Sequence, residues 1–421
     1  MLTWLEVEMI LLKQKVKERV GVQQSIQDRR EKINQGIVPE GYKQTIVGII
    51  PGDWEVSKFK DFSIKSRDRF YPKKDKGDYK CIELEHIESG NGILNGFISS
   101  QNVKSTKNKF VNGDILYGKL RPYLKKYYYA DFSGVCSTEI WVLKANKKKV
   151  TEKYLFYLMQ SNYFNYQANV STGSSMPRAD WNYVSKAKYA IPPVIEQQKI
   201  ADVLATWDRA IELQESLIKE KEEQKKELRK VLLTSNKSKS WTIKSLGELV
   251  TRVKGKAVEI VENGKYPVLA MQFLNGDSEP NYTNDPSILA DVNDILLLWD
   301  GENAGNIYTE VEGVVGSTFM RLRPDSVNSV FIREYMRKDE WYIRSIREGS
   351  GIPHIPRDFL SYYKISLPPL AEQKHIAKLL STADREIELL KELIEKLKEE
   401  KKGLMQLLLT GIIRVKGDAD E

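Results

Sequence analysis

The sequence predicts an α+β protein built as an internal repeat, with two globular units of mixed β/α structure, each followed by a long helix of coiled-coil character. Three observations carry this. Residues 191–234 and 367–410 align without a gap at an offset of 176, with 22 of 44 positions identical. Both blocks place apolar residues at heptad spacing. The segments before them hold short β-branched runs separated by turn residues, the pattern of small sheets with a few helices.

The order of elements follows. Residues 1–40 read as an N-terminal helical extension, with Leu5, Met9, Leu12 and Val16 at helical spacing and no counterpart in the second half. The first unit covers residues 41–190, the first repeated helix 191–235, the second unit 236–366, the second helix 367–412 and a tail 413–421. Strands are expected at Tyr79–Leu84, Asp114–Tyr117, Ile140–Leu143, Tyr266–Ala270 and Ile295–Trp299, and helices at Tyr154–Tyr163 and Phe331–Ile346. Residues 236–240, Asn-Lys-Ser-Lys-Ser, form a small polar linker.

Each repeated block opens on a proline pair, Pro192-Pro193 and Pro368-Pro369. In the second block Leu380, Ile387, Ile394 and Leu408 take one seam position, and Ala383, Leu390, Leu397 and Leu404 the other. Leu204, Ile211, Ile218 and Leu232 match the first set, and Trp207, Gln214, Lys221 and Leu228 fill a weaker second one. About 40 residues of helix span roughly 60 Å. Lys225 and Lys401 share one seam position. A lysine there weakens packing but fixes register, which predicts that the two helices pair in one alignment; a helix end splaying into solvent is the alternative. Upstream the repeat thins to landmarks: Gly173-Ser-Ser-Met-Pro-Arg178 with Gly349-Ser-Gly-Ile-Pro-His354, Gly113-Asp-Ile-Leu116 with Asn293-Asp-Ile-Leu296, Ser137-Thr138 with Ser317-Thr318, and Trp54 with Trp241. Packing at equivalent domain starts accounts for the two tryptophans better than recognition does.

Composition narrows the class. With 41% hydrophobic and 10% aromatic residues the chain is folded rather than disordered. No run of about 18 uncharged apolar residues exists, and Glu6, Glu8 and Lys13 interrupt the apolar start, so neither a membrane span nor a signal peptide is expected and the cytoplasm is the predicted compartment. Cys81 and Cys136 lack partners at metal-ligand spacing and read as buried thiols. Residues 51–190 carry 24 basic against 14 acidic side chains, a net of +10, whereas residues 241–366 carry 14 against 18, a net of −4. The first excess fits a nucleic-acid footprint or merely a basic soluble surface.

Catalytic motifs are missing. There is no G-x-x-x-x-G-K-[ST] loop, no G-x-G-x-x-G after a strand and no Asn/Asp-Pro-Pro-aromatic tetrapeptide, and His86, His354 and His375 lie far apart in sequence. Glu196 and Lys199 superficially resemble nuclease residues, but they fall at a helix start, where an acid favours the macrodipole. No catalytic and no metal-binding residue is assigned.

The motif P-P-x-x-E-Q-x-x-I-A-x-x-L followed by a charged heptad helix, present twice after two divergent domains, resembles the specificity subunit of type I restriction-modification systems. Gly41–Trp54, Gly113–Tyr123 and the Gly-Ser motifs before each helix fit the same family, and the likeness spans roughly residues 40 to 412, with residues 1–35 departing from it. The resemblance implies a non-catalytic subunit with two target recognition domains, each reading one half of a split double-stranded DNA sequence, separated by an antiparallel coiled coil. It implies two modification (methyltransferase) subunits and further restriction subunits as partners. S-adenosylmethionine, ATP and magnesium then belong to those partners, with no cofactor in this chain. Rival readings are a coiled-coil scaffold that binds only protein, an enzyme subunit with a hidden active centre, and a specificity subunit whose partner fuses nuclease and methyltransferase.

For DNA contact the first unit offers Tyr117, Lys119, Arg121, Ser174, Ser175 and Arg178, and the second Trp299, Asn303, Ser350, His354 and Arg357. Tyr117 has a competing role as a core aromatic, Ser174 and Ser175 as turn formers, and Trp299 as the end of a buried strand. The run Lys73, Lys74 and Lys76 reads as a solvated face. In the second unit Arg321, Arg323, Arg344 and Arg347 would have to gather on one face, away from the acids.

Overall fold

A computed structural model describes residues 23–172, 176–234 and 240–415. The chain divides into two compact units, residues up to Glu215 with Leu393 onward, and Ser216–Glu392. Each unit therefore owns one globular domain and one half of each long helix.

In the first unit, strands Tyr127–Tyr129, Ile115–Gly118, Ile140–Ala145 and Ser63–Lys65 form an antiparallel sheet in that spatial order. A second, five-stranded sheet orders Arg69–Phe70, Lys107–Phe110, Gly134–Cys136, Lys80–Ile82 and Ile98–Ser99, with one parallel pair, Val135 against Cys81. The second unit repeats the plan. Its first sheet runs Val250–Lys254, Phe319–Pro324, Ile295–Leu298 and Ile307–Thr309. Its second runs Tyr282–Thr283, Tyr266–Leu269, Gly313–Val315 and Leu289–Ala290, again with one parallel pair, Val268 against Val314. Two halves with little sequence in common thus share one topology.

The expected helix Tyr154–Tyr163 is two helices, Glu152–Gln160 and Asn162–Asn169. Ser161 breaks it by adopting extended backbone and accepting the Phe164 N–H as N-cap. Phe331–Ile346 divides likewise at Asp339 into Ser329–Lys338 and Glu340–Ser345. At the N-terminus Gln23–Asn34 is helical, and Arg29 donates to the Ile412 carbonyl at 2.7 Å; Leu5, Met9, Leu12 and Val16 lie outside the described residues, as does most of the polar linker.

The long helices run Val194–Thr234 and Leu370–Leu409. They pair antiparallel within each unit. In the first, Asp208 meets Lys401 and Glu215 meets Lys398; in the second, Glu222 meets Lys391 and Lys225 meets Asp384. Lys225 is only 7% exposed and its ammonium also lies 3.8 Å from the buried Glu334, so the seam lysine is paired rather than splayed.

Each core joins domain to helix. Trp54, Phe59, Phe62, Tyr154 and Phe164 pack with Ile200, Leu204 and Leu408 in the first unit; Leu246, Phe331 and Phe359 pack with Leu233, Ile376 and Leu380 in the second. Emptying one such aromatic to alanine costs about 3–5 kcal/mol.

The repeated Glu-Gln pair fastens these joints. Glu196 accepts the Trp54 indole N–H at 2.9 Å and the Arg414 guanidinium at 2.8 Å, and Glu372 accepts the Trp241 indole at 3.2 Å. Gln197 accepts the backbone N–H of Thr151 and donates to the carbonyls of Lys149 and Pro192; Gln373 accepts the N–H of Asn328 and donates to Pro368. Thr151 and Asn328 are the N-caps of the equivalent helices Glu152–Gln160 and Ser329–Lys338. Glu196 is therefore a structural acceptor. Cys81 and Cys136 are buried free thiols, and burial pushes Cys81 up to about 11.

Candidate nucleic-acid interface

In the first unit the sheet-edge strand Ser63–Lys65 leads into Arg67 and Arg69. The Lys65 ammonium lies 5.0 Å over the Trp181 ring. Burial, then the neighbouring charges of Lys119, Arg67 and Arg69, hold it below the ordinary lysine range. A lysine whose charge is disfavoured by three neighbouring cations belongs to a surface adapted to an anion. Beside them Arg178 donates to Glu139 at 2.9 Å, and Lys119 lies 3.9 Å from the same carboxylate. Arg121 is exposed, its backbone left-handed at φ 51°, and its N–H donates to the Pro177 carbonyl at 2.8 Å. Lys119, Arg121 and Arg178 thus come together as the sequence suggests.

Tyr117 does not join them. It is fully buried, stacked on Trp141 at 6.0 Å and edge-on to Phe164 at 5.1 Å, and burial raises its phenol pKa. All four residues of its strand face interior surfaces, so it is a core aromatic. Ser174 and Ser175 lie outside the described residues.

In the second unit Arg252, Lys254, Trp299, Ile352, His354 and Arg357 line an open cleft of about 940 Å³ together with Ser317 and Thr318. Lys254 pairs with Asp300 at 2.6 Å, which neutralises an acid in the lining. His354 sits with Nε2 3.5 Å from Glu348. Trp299, 8% exposed, belongs to the core and leaves little of its ring to the cleft. Asn303 lines a neighbouring pocket of about 430 Å³ instead, its Nδ2 3.6 Å from the Met271 sulfur. Ser350 is exposed on the adjoining loop but is not part of the lining.

The four arginines that would have to gather on one face do not line this cleft. Arg323 is held by Asp294 and Asp291 at 2.5–2.8 Å, Arg321 donates to the Leu289 carbonyl, and Arg344 and Arg347 border a separate hollow beside Trp341. Buried Asp294 requires its arginine, and with Lys254 balancing Asp300 the cleft takes its net positive charge from Arg252 and Arg357.

Arg252 and Lys254 escaped the sequence reading, as did Lys65 and Arg67. The signal is present nonetheless. The offset of 187 that relates Trp54 to Trp241 also relates Lys65, Arg67 and Arg69 to Arg252, Lys254 and Lys256, an alternating basic triplet that begins on the equivalent edge strand of each unit. Around it the units diverge: Lys119 corresponds to Trp299, Arg121 to Gly301 and Arg178 to His354. Among the described residues no group of three or more His, Cys, Asp or Glu side chains is placed to hold a metal ion, and no helix is long and apolar enough to cross a membrane.

Two equivalent α+β domains, each carrying a basic face and each rooted on paired helices, define a duplicated DNA-specificity architecture. Residues 51–223 and 238–399 match the type I restriction modification DNA specificity domain. The chain belongs to this family, and the two matched segments make it a specificity subunit with two DNA specificity domains. It is 29% identical over 424 residues to a Methanocaldococcus jannaschii protein named, provisionally, the type I restriction enzyme MjaX specificity subunit, covering 90% of this chain and 97% of that one. The MjaVIII specificity subunit of the same organism is 35% identical over 178 residues, 40% of this chain and 42% of its own length. A solved chain from work on complex assembly and conformational transition of the type I R-M system shares the fold, with a TM-score of 0.62 and 20% identity over 86% of this chain and 99% of that one.

Proposed function

We propose that the chain is the non-catalytic sequence reader of a type I restriction-modification complex, and that each domain binds one half of an asymmetric, split duplex target. One observation carries this: an alternating basic triplet begins on the same edge strand in both units, at Lys65 and at Arg252, while the side chains around it differ. Shared cations suit phosphates, which are alike in every sequence, and differing neighbours suit base edges, which are not. The half-sites should therefore differ.

The long helices set the unread spacer and offer two related surfaces to two modification (methyltransferase) subunits, which restriction subunits then join. S-adenosylmethionine, ATP and magnesium act in those partners, and the complex works in the cytoplasm. Methylation-sensitive sequencing of DNA from a host that gains this chain with its modification subunit tests the reading. A split motif bearing new adenine methylation supports it; a methylome without any new motif refutes it.

A further inference from the structure

We propose that Ile352 and Met176 are wedges that enter the base stack of the two half-sites, an inference that rests on the DNA-reading function above. Ile352 is 71% exposed and Met176 55%, each the apolar residue before a proline at equivalent positions of the repeat. Both are presented by the same backbone frame. In the second unit the Gly301 N–H donates to the Pro353 carbonyl at 2.8 Å and the Ile355 N–H to the Trp299 carbonyl at 2.9 Å. In the first, the Arg121 N–H donates to Pro177 at 2.8 Å and the Ala179 N–H to Lys119 at 2.9 Å. These are corresponding residues. Glu348 and His354 further close the second loop by reciprocal backbone hydrogen bonds of 2.9 and 3.0 Å, leaving Ile352 at its tip.

The surroundings identify the ligand surface. Ile352 shares its cleft with Arg252, Lys254 and Arg357, and Met176 adjoins the Lys119, Arg121 and Arg178 cluster, its carbonyl 3.4 Å from the Arg178 guanidinium. An apolar tip gains nothing from the phosphates those cations hold. The apolar surface of a duplex is the stacked face of its bases, which isoleucine, methionine and proline are known to part. The two units differ where they would read base edges, so an exposed feature they share acts on what unlike half-sites have in common. Stacking is that common property. Opening a step beside a half-site also lowers the work of extruding a neighbouring base to a partner enzyme.

The test uses the full-length chain without methyltransferase subunits, so that no partner contributes base extrusion, and duplexes carrying 2-aminopurine at successive positions of each half-site. Wild-type protein should raise fluorescence several-fold at one step per half-site. Ile352→Ser should abolish the rise in one half-site only, Met176→Ser in the other only, and Ile352→Leu should retain it, all with unchanged salt dependence of binding. Sequence-selective binding with no fluorescence rise overturns the wedge and leaves the reading intact. A rise that persists in Ile352→Ser overturns the wedge, and if a separate co-purification shows that this variant no longer associates with modification subunits, the tip is reassigned to a protein contact. Absence of sequence-selective, salt-dependent DNA binding by wild-type protein overturns the reading and the wedge together.

Discussion

Lys225 and Asp384 are ion-paired across the long helices in the second unit, and Lys401 and Asp208, which stand at the corresponding positions of the repeat, are paired in the first. Each lysine occupies a seam position that a heptad would give to an apolar residue, and each finds its carboxylate on the opposite helix. Such a pair weighs little in stability but selects one alignment, since any slip leaves charge unmatched. Lys225→Ala should lower stability by about 2 kcal/mol in denaturant unfolding, because Glu334 and Asp384 lose a partner while Arg229 still holds Glu334 at 2.7 Å. Lys225→Ala combined with Asp384→Ala should cost less than the sum of the two single changes in a double-mutant cycle.

Gln197→Leu removes three hydrogen bonds at a buried site and leaves the Thr151 N–H and two carbonyls unpaired. The expected loss is about 2–3 kcal/mol. Gln373→Leu, with two such bonds, should lose less. Comparing the two denaturation midpoints checks the order.

The basic triplet should govern salt dependence. Arg252→Ala and Lys254→Ala should each make the slope of log K against log salt shallower by about 1, with binding weakened alike on all sequences. Arg323→Ala is the contrast: it should leave the slope unchanged and reduce stability, because buried Asp294 loses its cation.

Lys65 ties stability to function. Its pKa is lowered by burial and by Lys119, Arg67 and Arg69, so between the lowered and ordinary values the folded chain binds fewer protons than the unfolded one. Stability therefore rises as pH climbs through that alkaline window, and at neutral pH the unfavourable charge is fully present. Lys65→Met should unfold at an equal or higher temperature while its DNA-binding slope falls by about 1. Calorimetry and binding titrations over several salt concentrations read the two effects separately.

Lengthening both long helices by one heptad adds about 10 Å, close to three base pairs at roughly 3.4 Å each. The methylated motif should keep both half-sites and gain a longer unread spacer. An unchanged spacer would exclude a measuring role for the helices.

The long helices were legible because heptad spacing persists over some 40 residues and occurs twice. Their starts shift by three residues, from Ile191 to Val194 and from Leu367 to Leu370, since the proline pair precedes the first turn. Tyr117 misled because Ile115–Gly118 shows no alternation: the strand is covered on both sides, so a tyrosine beside basic residues turns inward. The cluster of Lys119, Arg121 and Arg178 was readable from its proximity to Gly-Asp-Ile-Leu and Gly-Ser landmarks. The Lys65 and Arg252 triplets were not, because although they share the offset of 187 with Trp54 and Trp241, lysine and arginine exchange at the aligned positions or meet no identity, so no matching residue marks them.

The Gln197 and Gln373 amides grip their domains chiefly through main-chain atoms at a helix cap. Main-chain atoms are indifferent to side-chain identity. Each helix therefore provides a socket that accepts any domain presenting a capped helix of the same shape, and a gene exchange replacing one domain would change half of the target while leaving the joint intact.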